Sequence, residues 1–107
     1  MHILVVDDKQ PILDVVGTML EKSGHCVDLA SNGLDAFEKI KNTPFDLFII
    51  DHLMPLMNGI QLSKNIRSHE HYRDKPIIFM TTQDVKVLAS SNDAKLFDEI
   101  IPKPIDE

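Results

Sequence analysis

The stretch "LFIIDHLMP", Leu47 to Pro55, decides how this chain is read. Four apolar residues, β-branched at Ile49 and Ile50, have the length and composition of a strand buried on both faces. The run stops on a bare carboxylate, Asp51, and a loop begins with His52, Leu53, Met54 and Pro55. The same grammar opens the chain, where "ILVVDD" carries an apolar run from Ile3 to Val6 and ends it on Asp7 and Asp8. Two buried strands that both end in aspartate mark their carboxyl ends as a place where negative charge collects.

Working outward from Leu47, strand-length apolar runs alternate with helix-period segments. "HILVV" (2–6) reads as a strand, and "PILDVVGTMLEKSG" (11–24) as a helix with Ile12, Val15, Val16, Met19 and Leu20 at three-four spacing. Pro11 suits its first turn and Gly24 its stop. "CVDLA" (26–30) is a second strand, and 32–43 a helix carrying Leu34, Phe37 and Ile40 before Pro44. Strand 47–50 is followed by a helix over 59–70, a strand over 76–81, a weaker helix over 84–97 with a polar break at Ser90 to Asp93, and a short strand over 99–102. A β-α unit repeated four times and then a last strand predicts a mostly parallel sheet with helices on both faces and right-handed crossovers. Four helices on five strands leave part of one face thinly covered, so either the chain is a fragment or another surface covers that patch.

The 107 residues suffice for one domain, 1–107, and 43% hydrophobic content is ordinary for one core. A net charge of −6 with no basic stripe excludes direct nucleic-acid binding. No apolar run approaches the roughly 20 residues that cross a bilayer. The first run stops at Val6 before two acids, unlike a leader peptide, and Met1 directly before the first strand is read as a natural amino terminus. The expected location is cytoplasmic. The lone Cys26 fits a reducing compartment and is expected as a small buried strand residue.

In open parallel sheets ligands bind beyond the carboxyl ends of the strands. Those ends carry Asp7 and Asp8, then Asp51, then Thr81 and Thr82, then Lys103. If the first and third strands are neighbours, about 4.8 Å apart, their carboxylates converge and repel one another. A hard dication relieves that repulsion, and magnesium takes one or two carboxylates plus phosphate oxygens. Lysine and a threonine hydroxyl supply the positive charge and hydrogen bond that a phosphoryl group requires, and an aspartate can itself be the nucleophile. Each residue also has a plainer role. Asp7 or Asp8 caps a helix, Asp51 forms a turn, Thr81 fills a strand and Lys103 is a solvated surface lysine. His52 follows Asp51, but successive extended side chains point to opposite faces, so it is expected to line the loop, away from phosphate. His69 and His71 are two apart, which does not put both on one helix face to hold a metal. No Walker-type or dinucleotide glycine pattern occurs.

Taken together, "VVDD" (5–8), "DHLMPLMNG" (51–59), "FMTT" (79–82) and the "KP" at Lys103 resemble the receiver domain of two-component response regulators, similar to the stand-alone chemotaxis type. The resemblance runs over essentially the whole chain, short of the family's last helix. It implies a flavodoxin-like, doubly wound, parallel five-stranded α/β sheet in the order 2-1-3-4-5, with the fifth helix absent. Its implied function is a magnesium-dependent phosphoacceptor, receiving a phosphoryl group on Asp51 from a sensor histidine kinase or phosphotransfer protein. It is not an enzyme on outside substrates but assists its own phosphorylation and dephosphorylation. By the same resemblance Asp8 binds Mg2+ directly, Asp7 directly or through water, and Asp51 and the Leu53 backbone carbonyl complete the set. Lys103 contacts the phosphoryl group, and Thr81 is the hydroxyl that moves toward it. Met54-Pro55 and Gly59 shape the following loop, and a cis peptide before Pro104 is frequent in the family. Leu53 and Gln83 flank the path of attacking water, where an apolar Leu53 is expected to lengthen the phosphorylated lifetime.

Three departures stand out. Ile100 occupies the position of the family's switching aromatic, so output is expected through loop and fourth-helix shifts. Leu96-Phe97 replaces a small pair, making that surface more apolar. The absent last helix leaves a face for a homodimer partner or other chain. A phosphorylation-independent docking module is the alternative function. A magnesium phosphatase ranks last, since no substrate pocket or second general acid is evident.

Overall fold

A computed structural model describes residues 1–54 and 57–103. The strands are β1 (His2–Val6), β2 (Cys26–Ala30), β3 (Leu47–Asp51), β4 (Ile77–Thr81) and β5 (Glu99–Pro102). The helices between them are α1 (Gln10–Lys22), α2 (Gly33–Asn42), α3 (Gly59–Ser68) and α4 (Val85–Ala89). All strands are parallel in one sheet, ordered β2-β1-β3-β4-β5, as the resemblance implied. Among the described residues no helix follows β5.

Strand periodicity divides the core into two layers. Ile3, Val5, Ile49 and Met80 face one side, where Leu13 and Val16 of α1 meet them. Leu4, Val6, Phe48, Ile50, Ile77 and Phe79 face the other, against Ala36 and Ile40 of α2, Leu62 and Ile66 of α3 and Leu88 of α4. Helix ends follow local chemistry. Asn32 caps α2 by accepting from the Asp35 N–H, and Asn58 and Gln61 form a reciprocal capping box on α3. Pro11 sits in the first turn of α1, and Gly24 closes its end at φ +91°, a backbone that costs glycine little.

Four expectations need correction. The weak helix over 84–97 is one short α-helix, α4, followed by a 3-10 segment over Asn92–Leu96. The Ser90 and Ser91 hydroxyls bond the carbonyls of Val87 and Leu88, competing with helix continuation at the polar break. The third helix likewise ends at Ser68, with a separate 3-10 turn over Glu70–Tyr72. Cys26 is exposed, because β2 is an edge strand whose first residue has neighbours on one side only. Strand β4 begins at Ile77, since Pro76 has no N–H to pair.

Candidate functional site

Sheet register builds the site. Val6 lies opposite Ile50 on the adjacent strand, so the next residues, Asp7 and Asp51, emerge side by side. Thr81 lies opposite Pro102, and the Lys103 N–H donates to the Thr81 carbonyl at 2.8 Å, which brings Lys103 to the same edge. Period-two alternation sends Asp51 and Asp7 the same way as Ile49 and Val5, toward the α1 side. The structure thus brings Asp7, Asp8, Asp51 and Lys103 together.

Carboxylate oxygens of Asp7, Asp8 and Asp51 lie within 4.8 Å of one another, the one such group of metal-ligating side chains among the described residues. Lys103 Nζ donates to Asp7 Oδ2 at 2.9 Å and to Asp51 Oδ1 at 3.1 Å. Asp7 is fully buried and Asp51 is 3% exposed, while Asp8 opens to solvent and meets Lys9 Nζ at 3.3 Å. Neither Asp7 nor Asp8 caps α1. Lys9 is the N-cap residue, and Asp7 Oδ1 instead accepts from the Lys9 N–H at 2.9 Å.

Inside the pocket one lysine faces two buried carboxylates, while Lys9 meets only the exposed Asp8. Burial, then the charge of Asp7, push Asp51 up to about 6, against the opposing pull of Lys103. Burial alone would lower the Lys103 ammonium, but hydrogen bonds to Asp7 and Asp51 and their charges outweigh it and hold it above the ordinary lysine value. Asp51 Oδ2 is buried without a hydrogen-bond partner among the described residues. An all-oxygen, acid-rich set with an unpartnered buried oxygen is the donor chemistry of a hard dication.

The loop after Asp51 is held close. The Gly59 N–H donates to the His52 carbonyl at 2.8 Å, and a Cβ at Gly59 would run into the Asp51 carbonyl and the Phe79 ring. No side chain therefore fits where α3 starts. Leu53 lies in this loop and is 51% exposed. Pro55 and Pro104, with the loop-shaping and cis-peptide expectations attached to them, lie outside the described residues.

These features decide the family. Residues 3–107 match the response regulator receiver domain. The chain belongs to that family. The receiver domain is similar to the chemotaxis protein CheY homolog of Campylobacter jejuni, 38% identical over 88 residues, covering 80% of this chain and 68% of that protein. It is also similar to the signal transduction histidine-protein kinase BarA of Shigella flexneri, 33% identical over its whole length but spanning only 12% of the kinase. Among solved structures it resembles response regulator TrrA from Thermotoga maritima in complex with Mg(2+)-BeF, with a TM-score of 0.87, 30% identity, and coverage of 98% of this chain and 88% of that one. The receiver domain is thus a module of two-component signal transduction.

One site residue escaped the sequence. His52 does point away from Asp51, as alternation requires, but that direction leads to Thr81. Its Nδ1 lies 3.0 Å from Thr81 Oγ1, which also accepts from the Gln83 N–H at 2.9 Å. Because Asp51 is opposite Met80, the next residues of the two strands, His52 and Thr81, face each other on the same side. Burial lowers His52 below its ordinary value, with Asp93 opposing. Ile100, at the family's aromatic position, packs half-buried on the α2–α3 core, and Phe97 turns inward to stack on Phe79 at 3.9 Å.

Proposed function

We propose that Asp51 is the phosphoacceptor of this receiver and that the pocket works with Mg2+. The observation that carries this is the Asp7–Asp8–Asp51 cluster, with a lysine bonded to two of its members and one acceptor oxygen left unpartnered. Asp7, Asp8, Asp51 and the Leu53 carbonyl would hold the ion. When bound, magnesium supplies positive charge against the oxygens of the transferred group.

The chain's own residues do the rest. A carboxylate oxygen of Asp51 is the nucleophile toward phosphorus. The new O–P bond forms as the donor's P–N bond to histidine breaks; the P–N electron pair goes to the imidazole nitrogen, and the ring, protonated on its other nitrogen, leaves neutral. Lys103, already beside Asp51 Oδ1, turns its ammonium to a phosphoryl oxygen. Thr81 donates its hydroxyl to another. The donor is a sensor histidine kinase or phosphotransfer protein, and the setting is cytoplasmic. Among the described residues no helix is long and apolar enough to cross a membrane. The phosphoryl group ends on the chain itself, so its self-phosphorylation and dephosphorylation are not enzymatic turnover of another molecule.

Incubation with a small-molecule phosphodonor tests this. The expected result is a magnesium-dependent mass gain of one phosphoryl group. No gain with magnesium present overturns it and favours the docking module.

Partnering extends the reading. Ile78 and Ile101 are half-buried on the face where α1 packs chiefly on β1 and β2. A second copy, another protein, or a further segment of a longer chain covering that face is the expected arrangement. A concentration-independent monomer mass in solution contradicts the homodimer.

A further inference from the structure

We infer that His52 is a latch on the switch hydroxyl: its imidazole holds the Thr81 O–H in the unphosphorylated state, and phosphorylation must break that contact. The inference rests on the phosphoacceptor reading of Asp51. A threonine hydroxyl has one proton and two lone pairs. Here the Gln83 N–H occupies one lone pair at 2.9 Å, and His52 Nδ1 stands 3.0 Å away. With Thr81 fully buried, no solvent competes for that proton. A neutral imidazole with its own proton on Nε2 presents Nδ1 as an acceptor, and the hydroxyl donates to it. The same proton cannot then be given to a phosphoryl oxygen on Asp51. The two bonds are exclusive, so His52 opposes the activated arrangement by the worth of one buried hydrogen bond.

The latch is also packed against a reporter. The His52 ring lies 5.1 Å from the Phe79 ring, and Phe79 stacks on Phe97 at 3.9 Å and 16°. Phe97 borders the groove between α4 and β5 with Val85, Ala89 and Ile100. Ile100 has no ring to swing into the space the hydroxyl leaves. His52, which must shift when Thr81 lets go, is the aromatic group in contact with both the hydroxyl and the Phe79–Phe97 pair.

The test is calorimetric titration of the metal-loaded chain with beryllofluoride, a phosphoryl mimic, for the wild type, His52→Leu and His52→Asn, each with Thr81 and with Thr81→Ala. Leucine removes the acceptor, while the asparagine amide oxygen sits near the former Nδ1 position and restores it. The expected result is binding about 2- to 10-fold tighter for His52→Leu, the range of one net hydrogen bond, with His52→Asn close to wild type. In the Thr81→Ala background the difference vanishes. In the wild type, the Phe97 amide resonance moves on beryllofluoride binding, and in free His52→Leu it already lies part-way along that path. Unchanged or weaker binding by His52→Leu, a gain that survives Thr81→Ala, or asparagine behaving as leucine overturns the latch alone. A wild type that binds no beryllofluoride with magnesium overturns the latch together with the phosphoacceptor reading.

Discussion

Replacing Asp51 by asparagine should stabilise the metal-free domain, and only above mildly acidic pH. The folded carboxyl ionises near pH 6, against 3.8 for the free group, because it is buried beside Asp7. Between those values the folded chain holds a proton that the unfolded chain releases, so stability falls as pH rises through the interval. Above pH 6 the full penalty is present. At about 1.4 kcal/mol per pH unit the displacement from 3.8 to about 6 amounts to about 3 kcal/mol. Asparagine removes that charge but also weakens the Lys103 contact at Asp51 Oδ1, leaving a net gain of about 2 kcal/mol. For a domain of this size that is a rise of roughly 10 °C in Tm. Thermal melts of both proteins in chelator, at pH 8 and again near pH 4, are the assay. The gain should appear at pH 8 and shrink toward zero near pH 4, where the folded wild type is protonated. Equal stabilities at pH 8, or a less stable Asn variant there, would refute the electrostatic reasoning.

Other outcomes follow from the same geometry. Lys103→Gln leaves Asp7 and Asp51 buried without their cation and should cost about 3 kcal/mol at pH 8, read by urea unfolding in chelator, with a smaller loss at pH 4. Ser63 carries a buried hydroxyl with no partner among the described residues, so Ser63→Ala should be neutral or stabilising by up to about 1 kcal/mol, against the usual sign for core changes. Leu53→Asn puts a polar side chain at the exposed mouth of the site and should shorten the phosphorylated lifetime, timed by loss of phosphate after the donor is removed.

Much of this was legible in the residues. The β-branched runs ending at Val6 and Ile50 located two strands and the acids beyond them, because parallel strands buried on both faces admit few polar residues. Alternation of elements implied a parallel sheet with Asp51, Asp7, Asp8 and Lys103 at its carboxyl edge, and the strand order taken from the family resemblance brought them together there. The fourth helix was less legible. Val85, Leu88 and Ala89 give a helical period, but serine hydroxyls that bond nearby carbonyls end it after one turn. Cys26 was misjudged because sequence periodicity does not say which strand lies at an edge. The His52–Thr81 contact depends on β3–β4 register, which places two residues 29 apart in sequence face to face. Alternation alone gave the direction of His52 and not what waits there.

The most direct measurement is to locate the modification itself. After treatment with magnesium and a phosphodonor, borohydride reduction converts an aspartyl phosphate to homoserine, and peptide mass spectrometry finds its position. Conversion at Asp51 alone, lost when the metal is chelated, is the predicted result. Conversion at Asp7 or Asp8 instead, or none at any aspartate, would contradict the account.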